Sequence, residues 1–150
     1  MDKIAQKLQK IEWLYGDKDP AVRAEMLRRI AATGKRLGLI TYSDLARGLT
    51  FRLPNVQNGA PFQIDTHEWT GLDRRIIGDF LGHISMKSYL EAGFMASALV
   101  VSRQTFAPSD LFFEWMEELK VLPDLREDTV LAFWAEQVNK AHKWYSTHAA

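Results

Sequence analysis

An apolar ladder in the middle of the chain limits the folds open to it: Leu72, Ile76, Phe80 and Ile84 recur at steps of four, with Ile77 and Leu81 beside them. Such spacing carries side chains down one face of a 3.6-residue helix, so this stretch predicts a central helix. Thr70 and Asp73 have the spacing of a capping box at its start, and Trp69 stands where it would pack over the first turn. Gly71, Gly78 and Gly82 lie within the helix, where an interior glycine costs about 1 kcal/mol relative to alanine. The four-residue step from Gly78 to Gly82 therefore predicts tight packing, close enough for another backbone to approach.

The remaining elements follow from the same kind of pattern. Ile4, Leu8, Ile11 and Tyr15 mark a helix over residues 2–15, stopped by Gly16. Asp19 and Pro20 open a second over residues 20–33, with Val22, Met26, Leu27 and Ile30 inward and Arg23, Arg28 and Arg29 outward. Leu39, Ile40, Thr41 and Tyr42 form a short extended piece, and Ser43 is placed to cap a short helix over residues 44–49. Residues 50–68, with Pro54, Asn55, Asn58, Gly59 and Pro61, read as a long loop or an irregular two-stranded ribbon. A second short helix is expected over residues 86–91, and residues 96–102 read as a strand. Ser109 then caps a helix carrying Leu111, Phe112, Trp115, Met116 and Leu119. Asp124 and Glu127 form a D-x-x-E cap for a last helix with Val130, Trp134, Val138 and Ala141 on its face.

The expected architecture is mainly α with a small β-sheet or hairpin, an α+β domain. One domain spans residues 1–150: a helical part at 1–38, a core at 39–106 and a C-terminal helical pair at 107–150. A chain of 150 residues does not hold a second domain of ordinary size. No apolar run approaches the roughly 18 to 20 residues that cross a bilayer, and the first residues alternate charge and hydrophobe instead of forming a signal peptide's apolar block. A cytoplasmic protein without membrane attachment is expected.

Composition excludes several chemistries. There is no cysteine, hence no disulfide, thiolate zinc site or thiol nucleophile. Of the four histidines, His67, His83, His142 and His148, none stands four residues from another, so no helical metal pair exists and no metal or cofactor is expected. Asp65, His67 and Glu68 are the tightest acid and imidazole cluster, in a loop-rich stretch of the kind that carries catalytic groups. On an extended chain only Asp65 and His67 share a face. Glu118 and Lys120 follow Asp110 in a pattern resembling metal-dependent nucleases. On a helix, however, those two residues point about 200° apart. Glycine-rich phosphate loops and serine nucleophile elbows are absent from the sequence.

Charge is balanced, 19 basic against 19 acidic residues, but polarised: residues 1–53 hold 11 basic and 6 acidic side chains, and residues 106–150 hold 4 and 8. The basic end suits phosphates or an acidic protein, and the acidic end suits a basic partner.

The run L-I-T-Y-S-D-L-A from Leu39 to Ala46 resembles the V-T-T-Y-G-D-I-A opening of the helix-turn-helix in alkyltransferase-like DNA-binding proteins. The resemblance extends over residues 39–106. It implies a winged-helix-like core in which a short strand leads to the helix after Ser43, the 50–68 loop, a helix over 75–84 and a returning apolar strand over 98–102. The alkyl-accepting cysteine and its proline-cysteine-histidine-arginine stretch are missing, so alkyl transfer is not implied. Arg74 or Arg75 stands nearest in order to the arginine that enters the duplex in that family. The pattern I-T-Y-x-x-L-A, with a later L-G-x-I and A-L-V-V, is also similar to small uncharacterised bacterial domains found near restriction and toxin loci.

Three functional expectations follow. The first is a non-catalytic protein-binding module, an immunity or antitoxin-type inhibitor that covers a basic partner such as a toxin nuclease. Its candidate residues are Glu114, Glu117, Glu118, Asp124, Glu127 and Asp128, with Trp69 as an exposed aromatic anchor. The alternative is a winged-helix DNA-binding protein using Tyr42, Ser43, Arg47, Arg52, Arg74 and Arg75, although a pI near 6.9 is low for that role. The second alternative is a small hydrolase or nuclease using Asp65 and His67, with His83 as a further candidate.

Overall fold

The computed structural model describes residues 2–148. In chain order the elements are α1 (Lys3–Gln9), α2 (Pro20–Lys35), β1 (Ile40–Thr41), α3 (Tyr42–Ala46), α4 (Gly71–Ala92), β2 (Val100–Val101), α5 (Asp110–Glu118) and α6 (Glu127–Thr147). The fold is mainly helical with one small two-stranded sheet, and no helix among the described residues is long and apolar enough to cross a membrane.

Helix α4 is the axis of the structure. Its start is the capping box that the spacing predicts: Thr70 Oγ1 accepts from Asp73 N, and Asp73 Oδ2 accepts from Thr70 N, each at 3.0 Å. The helix runs through residues 86–91 without a break, where the sequence suggested a separate short helix. No proline or glycine interrupts it there, and the hydroxyl of Ser85, which might have bonded its own backbone, instead bonds Ser97 Oγ at 2.7 Å. Gly93, at φ 77°, ends it by donating to Tyr89 O. Ile76, Ile77, Phe80, Leu81 and Ile84 are buried as the ladder requires, whereas Leu72, in the first turn, is exposed.

Two core clusters flank this helix. The larger joins Met26 and Ile30 of α2, Leu45 of α3, Phe51 and Leu53 of the following loop and Phe80 of α4. The smaller joins Leu8 of α1, Met95, Ala98 and the inner face of α5. The 50–68 segment is an irregular ribbon closed by one antiparallel bridge: Phe51 and Phe62 exchange backbone bonds of 2.8 and 3.0 Å, and their rings stack 5.4 Å apart. Strands β1 and β2 pair in parallel, Ile40 opposite Val100 and Thr41 opposite Val101. A parallel pair needs a long crossover, and the whole of α3, the ribbon and α4 supplies it.

Several local expectations are corrected by tertiary contacts. Residues 96–99 form a 3-10 turn, and only Val100–Val101 is strand. Three successive backbone donors there are taken by side chains: Met95 N by Gln137 Oε1 at 2.7 Å, Ala96 N by Ser88 Oγ at 3.0 Å and Ser97 N by Ser85 Oγ at 3.0 Å. The ladder those groups would have formed is thereby lost. The first helix ends at Gln9, because Asp79 of α4 captures Tyr15 N at 2.8 Å and Gly16 N at 2.7 Å and pulls this segment across α4. Leu27 is exposed and not in the core. The cap of α3 is Thr41, whose Oγ1 accepts from Asp44 N, so Ser43 lies inside the helix. Residue Arg126 occupies the cap position of α6, and Asp124 accepts from Arg126 N at 3.0 Å in place of the expected D-x-x-E bond. Ser109 holds the cap position of α5 without a side-chain bond.

The glycine expectation is also redistributed. Gly78 faces open space, and Gly82 receives a side chain, the Trp13 indole, which would lie 2.9 Å from a Cβ there. Close backbone approach occurs at Gly16, where a Cβ would stand 2.6 Å from Asp79 O.

Candidate functional site

Helix α5 turns Phe112, Phe113 and Met116 into the smaller core, which leaves Glu114 and Glu118 exposed and Glu117 half-buried on the outer side. Val130, Phe133 and Trp134 from α6 pack into the same cluster. Helix α5 and the start of α6 therefore share one core cluster. Glu127 and Asp128 occupy the first turn of α6, where the helix dipole favours carboxylates. Asp128 Oδ1 also accepts from Thr129 N at 2.9 Å.

Among the described residues, Glu114, Glu117, Glu118, Glu127 and Asp128 form no ion pair. Asp124 stands 3.6 Å from the Arg126 guanidinium. Its carboxyl is held below the ordinary aspartate value, first by the Arg126 backbone N–H and then by Thr129. Three leucines on the same segments are exposed: Leu111 at 73%, Leu125 at 44% and Leu131 at 52%. Uncompensated carboxylates and exposed leucines on the same segments give this part of the surface both a sign and something to desolvate.

The structure does not gather Trp69 with these acids. Trp69 is partly buried against the larger core, and its Nε1 donates to Ser43 Oγ at 3.2 Å. Of the residues expected to meet DNA, Ser43 is thus engaged internally. Tyr42 is engaged too, its hydroxyl accepting from Ser109 N at 3.0 Å. Arg47 pairs with Asp44. Arg52, Arg74 and Arg75 are exposed and form no ion pair among the described residues.

Asp65 and His67 form a local turn in which Asp65 Oδ1 accepts from His67 N at 2.9 Å, and both side chains are exposed. Among the described residues no group of three or more histidines and carboxylates is placed to hold a metal ion. His142 Nε2 lies 2.9 Å from Gly38 O, and His148 stacks on Trp144 with ring centres 3.5 Å apart.

His83 is different. It is buried, packs edge-on against Trp13 at 5.4 Å, and its Nδ1 is enclosed with no hydrogen-bond partner. Burial pushes its pKa down, and Arg23 and Lys87 push it further in the same direction; Asp17 and Asp79 oppose them. The ring lines a cavity of about 470 Å³ between α2, α4 and the end of α6, together with Arg23, Leu27, Lys87, Trp144 and Tyr145. Burial raises the Tyr145 hydroxyl to about 12, and the Glu91 carboxylate adds to the rise. Sequence reasoning missed this groove. The step of four from His83 to Lys87 was its visible trace, but nothing in the order of residues places Arg23 or Trp144 opposite them.

Comparison with known proteins finds no matching family, no similar curated protein and no similar solved structure.

Proposed function

We propose that this protein is a non-catalytic, cytoplasmic binding module of the immunity or antitoxin type, which covers a basic surface of another protein, such as a toxin nuclease. The observation that carries the reading is the acidic character of α5 and the start of α6: five carboxylates without a cation partner among the described residues, on the same segments as three exposed leucines. Charge of one sign raises the rate of encounter with an oppositely charged partner, from about 10⁵–10⁶ to as much as 10⁸ per molar per second at low salt. Leu111, Leu125 and Leu131 then supply apolar area that binding removes from water.

The test is capture of the partner by the full chain from its own cells, followed by binding kinetics with the purified partner. A stoichiometric basic protein is expected, with an association rate that falls steeply with salt. The double variant Glu117→Lys, Glu118→Lys should slow association by about tenfold. An acidic or neutral partner, or a reversal variant that associates as fast as the wild type, overturns the reading.

A winged-helix DNA-binding protein is the second reading, and its support is the exposure of Arg52, Arg74 and Arg75 without ion pairs among the described residues. The internal bonds of Tyr42 and Ser43 weigh against it. Duplex affinity that falls steeply with salt, with a shallower slope after Arg74→Ala and Arg75→Ala, would favour it over the first.

A further inference from the structure

A groove between α2, α4 and the end of α6 brings cationic, aromatic and aliphatic side chains together. Its volume, about 470 Å³, lies within the range of small-molecule sites. Leu27 is 42% exposed at its edge, although its helical position made it a core candidate, and Ile84, Trp144 and Tyr145 provide further apolar wall. Two of the lining residues are cationic. Arg23 Nη1 donates to Gly16 O at 2.9 Å, which anchors the guanidinium and leaves its other N–H groups free of any bond to the described residues. Lys87, one helical turn beyond His83, forms no ion pair among the described residues.

His83 lines the groove with them. Its enclosed Nδ1 has no partner within the described residues, and burial, with Arg23 and Lys87, lowers its pKa. A neutral imidazole carries one N–H donor. Two carboxylates outside the lining also act on the ring: Asp79, which holds the Tyr15 and Gly16 N–H groups, and Asp17, which pairs with Lys18. The remaining acid, Glu91, lies eight residues from His83 along α4, about 12 Å along the axis. Among the lining residues, the cations Arg23 and Lys87 both act on His83, and Glu91 lies one helical turn beyond Lys87, towards the aromatic wall.

We propose that this groove binds a small organic monoacid, with its carboxylate between Arg23, His83 and Lys87 and a flat apolar body against Leu27, Trp144 and Tyr145. Two lining cations, offset by Glu91 one turn from Lys87 and by Asp79 and Asp17 beside His83, suit a single negative charge better than a doubly charged phosphate. The binding is independent of the acidic residues on α5 and the start of α6.

The experiment compares 2-naphthoate with its uncharged isostere 2-naphthamide by two-dimensional amide NMR titration of the full chain. Saturable shifts are expected at His83, Lys87 and the Trp144 indole N–H, with the acid binding at least tenfold tighter than the amide. Lys87→Glu should remove that difference while leaving the melting temperature unchanged, since Lys87 is exposed and unpaired. Leu27→Trp should fill the groove and weaken both probes. 2-Naphthyl phosphate should bind no more tightly than the acid. Equal affinity for acid and amide, shifts centred elsewhere, no saturation, indifference to Lys87→Glu, or tighter binding of the phosphate each overturns the proposal.

Discussion

Gly16→Ala and Gly78→Ala are expected to change stability in opposite directions. At Gly16 a Cβ would stand 2.6 Å from Asp79 O and 3.1 Å from both Asp79 C and His83 Cβ. The obstacle is the backbone of the central helix, which cannot retreat, so the 15–16 turn must lift by several tenths of an ångström. That turn is held by Asp79 Oδ2 on two N–H groups and by Arg23 on Gly16 O. Overpacking costs about 1–3 kcal/mol, and each strained bond to a charged group puts up to about 3 kcal/mol at risk. A loss of about 3 kcal/mol follows, equivalent to about 6–12 °C in melting temperature for a chain of this size. At Gly78 nothing lies within 4 Å of an added Cβ, and alanine in an exposed helix interior should gain about 1 kcal/mol. Urea denaturation followed by circular dichroism and tryptophan fluorescence measures both. A neutral Gly16→Ala, or a destabilising Gly78→Ala, would refute the placement of this turn against α4.

Gln137→Leu should leave the buried Met95 N–H without its acceptor and cost about 1–3 kcal/mol; faster amide exchange at Met95 is the local readout. The depressed pKa of His83 has a defined sign: the folded state resists protonation, so stability is fully present above about 6.5 and declines as pH falls below it. Denaturation at pH 7 and pH 5.5 should show a smaller loss for His83→Gln than for the wild type, and an equal loss would contradict the buried, unpartnered ring.

Much of the fold is legible wherever a residue's role depends on near neighbours. The Ile76, Phe80 and Ile84 part of the ladder, the Thr70 and Asp73 box and the Asp19 cap act within a few residues and are realised, while Leu72 in the first turn is exposed. The outward placement of Glu114 and Glu118 was legible in the same way, since α5 has an apolar side that identifies its outer one. Trp69 was misplaced because exposure is a property of what packs nearby, and Ser43 is reached only through the fold.

What the order of residues established is thus a helical chain with a central apolar helix, polarised charge and no cysteine chemistry. Distant contacts settled the rest: where the first helix stops, why residues 96–99 turn instead of pairing, and which cations meet at the groove. The physical reason is competition for backbone and charged groups. Asp79, Ser85, Ser88 and Gln137 capture N–H groups 8 to 64 residues away, and bonds of that reach override local preference only after the helices have packed.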